Sequence, residues 1–215
     1  MTCFRPKTAW QPLEGGRLIF REPVGVGVDD FREISINCRK CIGCRKTHAR
    51  SWGIRAWHES RMHQHSVAVT LTYDREHLPP GGELVPRDLE LFLKRLRKEV
   101  SPELIRFFGA GEFGELRHRP HYHVLIFGFG FPDREPFGKS VSGFQLYRSP
   151  MLERVWGKGI AAFNDLTLES AMYAAQYALK KVGEHSTEDY QRHQKEFARQ
   201  SRRPGLGRSF LERFY

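Results

Sequence analysis

The chain has 215 residues and a mass of 25.1 kDa, enough for one domain with extensions and for a real hydrophobic core. Apolar residues make up 40% of it, which sets it apart from disordered chains, and its longest apolar run, residues 124–131, falls far short of the roughly 20 residues that span a bilayer. Thirty-five basic against 25 acidic side chains leave a net charge of +10, and 25 of the basic ones are Arg, whose planar guanidinium binds phosphate bidentately, so the excess points to nucleic acid before membranes. The first residues have no apolar stretch of signal-peptide type, and a soluble protein that stays where it is made is expected.

Residues 1–37 read as irregular, with Pro6, Pro12, Gly15, Gly16, Pro23, Gly25 and Gly27 breaking up short apolar pieces. Cys38, Cys41 and Cys44 follow as two overlapping Cys-x-x-Cys units, and Cys3 can return as a fourth ligand. Four thiolates suit a closed structural Zn²⁺ site; reduced cysteines without a metal are the other reading. A helix is expected near residues 46–63, with Trp52, Ala56 and Glu59 along one side, then a β-branched strand over 67–73. Leu89, Phe92, Leu93, Leu96 and Val100 keep helical spacing up to Ser101-Pro102, and Arg87, Lys94, Arg95, Arg97 and Lys98 lie on the opposite face. Strands over 104–112 and 121–127, joined through Gly114, predict a hairpin. Residues 128–150 read as a long loop with one short strand at 144–147, and 160–163 as a further strand. Leu168, Met172, Ala175, Leu179 and Val182 then form the apolar stripe of a helix, and a basic tail follows from about Ser186. The order predicts an α+β fold with an antiparallel sheet, divided into a Cys-rich N-terminal arm (1–45), a central domain (46–185) and a C-terminal tail (186–215).

Two patterns can carry chemistry. In His121-Tyr122-His123 the two histidines point to one strand face, about 7 Å apart, where they can share a divalent ion with an oxygen ligand from the neighbouring strand. Glu112, in Gly111-Glu112-Phe113-Gly114, supplies that oxygen, and two imidazoles plus one carboxylate leave coordination positions open. Two solvated histidines are the plainer alternative. On the later helix, Tyr173, Tyr177, Lys180 and Lys181 share a polar stripe, while Ala171, Ala174, Ala175 and Ala178 keep the helix slim enough to lie close to a sheet. An ammonium near a phenol favours the phenolate that attacks phosphorus, although a pair of surface tyrosines would look the same in sequence.

Taken together and in order, Thr70-Leu71-Thr72-Tyr73, then Arg119-Pro120-His121-Tyr122-His123-Val124-Leu125-Ile126-Phe127-Gly128, then Tyr173-x-x-x-Tyr177-x-x-Lys180-Lys181 resemble the three motifs of HUH rolling-circle replication initiators, above all those of gokushovirus-like microviruses. Residues 38–45 and the segment Pro204-Gly205-Leu206-Gly207 also resemble that group. The resemblance implies a split ferredoxin-like (RRM-like) antiparallel sheet with the HUH strand central. It implies Mg²⁺ or Mn²⁺ on His121 and His123, with Glu112 as acidic ligand ahead of its rival Glu115, and Tyr173 and Tyr177 as nucleophiles, with Lys180 ending a Tyr-x-x-Lys pattern. It further implies single-stranded origin DNA as substrate and a 5′-phosphotyrosine intermediate in the host bacterial cytoplasm. No Gly-x-x-x-x-Gly-Lys-[Ser/Thr] is present, so helicase as well as polymerase would be the host's. The competing readings are an HUH transposase or relaxase, and a non-enzymatic, zinc-stabilised protein that binds single-stranded nucleic acid.

Overall fold

The computed structural model describes residues 3–25, 27–114, 118–140, 142–180 and 196–215, with residues 28 and 177–180 described by their backbone only. The chain divides into two compact units, Met1–His48 and Ala49–Tyr215.

In the first unit, β1 (Lys7–Pro12) pairs antiparallel with β2 (Phe31–Ile36), from Lys7 opposite Ile36 to Pro12 opposite Phe31. This corrects the irregular reading of residues 1–37. The Gly and Pro residues between 12 and 27 form one long connection, and the segments on either side are regular strands. Helix α1 (Ile42–Ser60) starts about four residues earlier than its periodicity predicts, because the Cys41 carbonyl already accepts the Arg45 amide at 3.0 Å.

The second unit is built on a seven-stranded antiparallel sheet in the order β6-β7-β8-β3-β5-β4-β9. Its strands are β3 (Ser66–Thr72), β4 (Arg106–Phe113), β5 (Pro120–Phe127), β6 (Glu135–Lys139), β7 (Gln145–Arg148), β8 (Ala161–Asp165) and β9 (Phe197–Gln200). Helices α2 (Pro86–Glu99), α3 (Pro150–Trp156), α4 (Leu168–Lys180) and α5 (Arg208–Phe214) complete it. The α+β class and the antiparallel sheet agree with the sequence reading, and β5 lies inside the sheet between β3 and β4.

Three segments depart from it. Residues 128–150 are not a structureless loop, since β6 and β7 form a hairpin whose pairing shifts register between Pro136 and Gly138. Helix α3 has its own signals: Ser149 caps Leu152 N at 3.1 Å, Pro150 opens the helix, and Gly157 closes it in the left-handed region at φ 63°. Residues 197–200, placed in a basic tail from sequence, form β9 on the free edge of β4. Val182 of the predicted stripe lies outside the described residues.

Strand alternation gives the sheet two different faces. One carries Val67, Val69 and Leu71 of β3 with Tyr122, Val124 and Ile126 of β5, and α2 and α3 cover it through Leu89, Phe92, Leu93, Leu96, Leu152, Val155 and Trp156. At roughly 1.5–3 kcal/mol for each fully buried large side chain, this is the main source of stability. The basic face of α2 therefore lies on this side of the sheet. The other face carries Phe108, Ala110, Leu125 and Phe127 against Trp52 and Ala56 of α1 and Ala171 and Ala174 of α4. The buried stripe of α4 is thus made of alanines; Leu168 is partly exposed. Small side chains let α4 lie close, as it does against α1, where a Cβ on Gly53 would stand 3.0 Å from Met172 Cα.

Candidate metal centre and neighbouring tyrosines

The second face is apolar under α1 and α4 and becomes polar toward one end of the central strands. On β5, Leu125 and Phe127 are buried, and the next residues on the same face are His123 and His121. The β4 register sets Ala110 opposite His123 and Glu112 opposite His121. The three side chains meet: Glu112 Oε1 is 2.9 Å from His121 Nε2 and 3.2 Å from His123 Nε2. The ligand atoms of all three lie within 4.8 Å of one another, a group able to hold a metal ion.

Two further contacts orient the rings. The carbonyl of Arg119 lies 3.1 Å from His121 Nδ1, and since a carbonyl only accepts, Nδ1 carries the proton there. Thr70 Oγ1 lies 3.2 Å from His123 Nδ1. Both Nε2 atoms are thereby turned toward Glu112, as a metal centre needs. The Arg119 guanidinium donates to the Tyr73 and Asp74 carbonyls at 2.8 and 2.9 Å, tying the chain just before β5 to the end of β3.

Burial alone would raise the Glu112 carboxyl, but the hydrogen bonds and charges of His121 and His123 outweigh it and hold the group at about 2. Glu112 is therefore a carboxylate throughout the neutral range. Its second oxygen, Oε2, is buried with no hydrogen-bond partner among the described residues. A buried anionic oxygen left without a donor is costly and fits a site whose ligand is a cation. Two nitrogens and a carboxylate also form a donor set that leaves positions open for substrate.

Tyr173 projects from α4 beside this group, 47% exposed, with its ring centroid 6.0 Å from that of His123. Tyr177 and Lys180 follow one and two turns later on the same stripe of the helix, and their side chains lie outside the described residues. Glu115 also lies outside them. Of the residues predicted for the site, Glu112, His121, His123 and Tyr173 are together. Thr70 and Arg119 were within quoted motifs without a role, because their contributions depend on strand register and on a carbonyl.

On the other sheet face Tyr122 meets a buried polar network. Its hydroxyl lies 2.7 Å from that of Tyr73 and donates to the Val85 carbonyl at 2.9 Å, while Tyr73 donates to Asp88 at 2.6 Å. Burial and the Asp88 carboxylate push the Tyr73 phenol far up, so it stays protonated. The residue between the two histidines is thus anchored to α2 and its N-terminal approach, which fixes the strand that presents them.

In the first unit, the Sγ atoms of Cys3, Cys38, Cys41 and Cys44 also lie within 4.8 Å of one another, a second group able to hold a metal ion. Backbone amides of Cys44 and Phe4 hold the Cys41 thiol down at about 6, whereas burial pushes Cys44 up to about 12. No described helix is long and apolar enough to cross a membrane.

The family described as replication-associated protein ORF2 matches residues 66–182, the span from β3 through α4 that holds Glu112, His121, His123 and both tyrosines. The chain is 33% identical over 222 aligned positions to replication-associated protein VP4 of Bdellovibrio phage phiMH2K, covering 100% of this chain and 69% of the relative. It is 37% identical over 198 positions to replication-associated protein ORF2 of Spiroplasma virus 4, covering 85% and 62%, and 31% identical over 152 positions to replication-associated protein ORF4 of Chlamydia phage 1, covering 67% and 38%. No solved structure matches the chain.

Proposed function

The chain belongs to the replication-associated protein ORF2 family, and from that premise we propose that it starts rolling-circle replication by nicking single-stranded DNA at an origin and later rejoining the strand. One observation carries this reading: Glu112, His121 and His123 converge on a single point, and the Tyr173 ring stands beside His123. His121 and His123 would bind Mg²⁺ or Mn²⁺ through Nε2, with Glu112 as the oxygen ligand. A bound ion of that kind supplies charge withdrawal from the scissile phosphate.

The protein's own residues do the remaining work. A tyrosine phenol loses its proton and its oxygen attacks the phosphorus. The P–O3′ bond breaks, and the departing 3′ oxygen takes up a proton. The products are a 5′-phosphotyrosyl protein and a free 3′-OH for a host polymerase to extend, with a host helicase opening the duplex in the bacterial cytoplasm. In the reverse step a 3′-OH attacks the phosphotyrosine, the strand is closed and the tyrosine is released, so no nucleotide is consumed. Tyr177 makes the first cut, favoured by Lys180 three residues on. Tyr173 then cuts the regenerated origin while Tyr177 still holds the old 5′ end.

The direct experiment incubates the protein with end-labelled origin-containing single-stranded DNA and Mn²⁺, then resolves it on a denaturing gel. A covalent protein–DNA band that disappears with chelator supports the proposal. DNA binding without any covalent band in Mn²⁺ or Mg²⁺ would leave a binding protein instead.

A further inference from the structure

Residues 3–48 have little burial to hold them together. The unit has a single two-stranded sheet, and only Ala9, Gly43 and Cys44 are buried among its described residues. An isolated two-stranded pair is marginal in water, and units this small usually rely on a metal or on disulfides. The β1–β2 pair opens at the end where Lys7 faces Ile36. Cys3 lies just before β1 at that end and Cys38 just after β2, while Cys41 and Cys44 mark the entry to α1.

The four sulfurs are arranged as a tetrahedral ion would hold them. Cys3 and Cys41 are 3.9 Å apart at Sγ, as are Cys38 and Cys44. Sulfurs about 2.3 Å from one tetrahedral Zn²⁺ lie about 3.8 Å from each other. A disulfide needs about 2.05 Å, and all four cysteines are free.

Backbone amides also point at the sulfurs. Cys38 N donates to Cys3 Sγ at 3.3 Å, Cys41 N to Cys38 Sγ at 3.3 Å, and Phe4 N and Cys44 N to Cys41 Sγ at 3.4 and 3.5 Å. Such donors stabilise thiolates and fix the direction of each sulfur, as the outer partners of a metal site do. They come from the turns that the cysteines themselves occupy, so the local fold and the ligand set depend on each other.

We propose that Cys3, Cys38, Cys41 and Cys44 bind one structural Zn²⁺, which takes the place of a hydrophobic core for residues 3–48. With all four positions filled by thiolates, no position is left for water or substrate, so this ion shapes the unit and performs no catalysis. It closes the open end of the β1–β2 pair onto the first turn of α1. Loading the reduced site releases the thiol protons, so zinc affinity falls as pH falls. The site is independent of the Glu112–His121–His123 group, and neither needs the other's ion.

The test uses the full chain purified without added metal. Elemental analysis should find about one zinc per chain, retained in the His121→Ala/His123→Ala variant and lost in Cys41→Ser. Cobalt exchanged into the site should show sulfur-to-metal charge transfer and the d–d bands of tetrahedral thiolate coordination. Because Cys41→Ser can fail to fold, the wild-type chain is also stripped with chelator and reloaded with zinc. Amide exchange protection over Lys7–Pro12 and Phe31–Ile36 should vanish and return. Absence of zinc with four freely titrating thiols in the folded protein would overturn the proposal. So would iron in its place, zinc that leaves with the histidines and stays in Cys41→Ser, or protection of β1 and β2 that ignores the metal.

Discussion

Thr70 stands directly across from His123 in the β3–β5 register, and its hydroxyl lies 3.2 Å from the Nδ1 of that imidazole. This contact turns the opposite nitrogen, Nε2, toward Glu112. Thr70→Val keeps the shape and removes the hydroxyl. It should weaken Mn²⁺ binding about 10–100-fold, with activity recovered at high Mn²⁺ and with Thr70→Ser close to wild type. Unchanged Mn²⁺ affinity in Thr70→Val, by calorimetric titration, would show that the hydroxyl does not position the ring.

The two tyrosines on α4 are expected to divide the work. Tyr177→Phe should strongly reduce the first covalent adduct. Tyr173→Phe should still nick but release few closed circles over repeated rounds. Adduct yield and circle yield, measured separately on the same preparations, decide the order. Equal loss of the first cut in both variants would contradict it, and normal circle production by either would remove the two-nucleophile scheme.

Glu59 of α1 joins distant parts of the second unit. Its Oε1 lies 2.7 Å from Arg106 Nε, an ion pair not aligned for a hydrogen bond, and 3.2 Å from His63 Nε2, while Oε2 accepts the Gly207 amide at 2.7 Å. Burial raises the Glu59 carboxyl, but His63, the Gly207 amide and Arg106 lower it further, to a net value below the ordinary glutamate range. The unfolded chain therefore binds this proton more readily than the folded one. The stabilisation is fully present above the ordinary range and is lost as pH falls through the lowered value. Glu59→Gln should cost about 3 kcal/mol at neutral pH, and its deficit against wild type should shrink in acid. Denaturant unfolding at several pH values measures this, and a deficit that grows in acid would refute it.

The close approach of α1 and α4 at Gly53 yields a test of how the tyrosine helix is held. In an exposed helix, Gly→Ala stabilises by about 1 kcal/mol. Here the added Cβ would meet Met172 Cα at 3.0 Å and its Sδ closer still. Gly53→Ala should therefore destabilise the protein, by about 1–3 kcal/mol, and slow nicking while leaving Mn²⁺ affinity intact. A stabilised variant with normal nicking would show that the helices have room to separate.

The sequence made the centre of the sheet legible because its signals are local. Period-two alternation in residues 121–127 put both histidines on one face, and the hairpin brought Glu112 next to them. The alanines of α4 announced a helix pressed close, although the buried stripe runs along Ala171, Ala174 and Ala175 instead of Leu168 and Met172. Other features depend on partners far away in sequence. Thr70 acquires its role only through the β3–β5 register, and β9 is a four-residue strand that the edge of β4 recruits from a basic stretch. The β1–β2 pair was hidden by the Gly- and Pro-rich connection between its strands, and β6, exposed along its whole length, offers no alternation to read. Helix α3 was legible in principle from Ser149-Pro150 and Gly157, but its seven residues are too few for a periodic stripe.

The central claim is that Glu112, His121 and His123 serve a tyrosine that becomes covalently joined to DNA. The most direct measurement is peptide mapping by mass spectrometry of the adduct formed with an origin oligonucleotide and Mn²⁺, run beside the His121→Ala/His123→Ala variant. The account predicts a nucleotide-bearing peptide modified at Tyr177 or Tyr173 in the wild-type chain and none in the variant. A modification on any other residue, or an adduct that survives loss of both histidines, would contradict it.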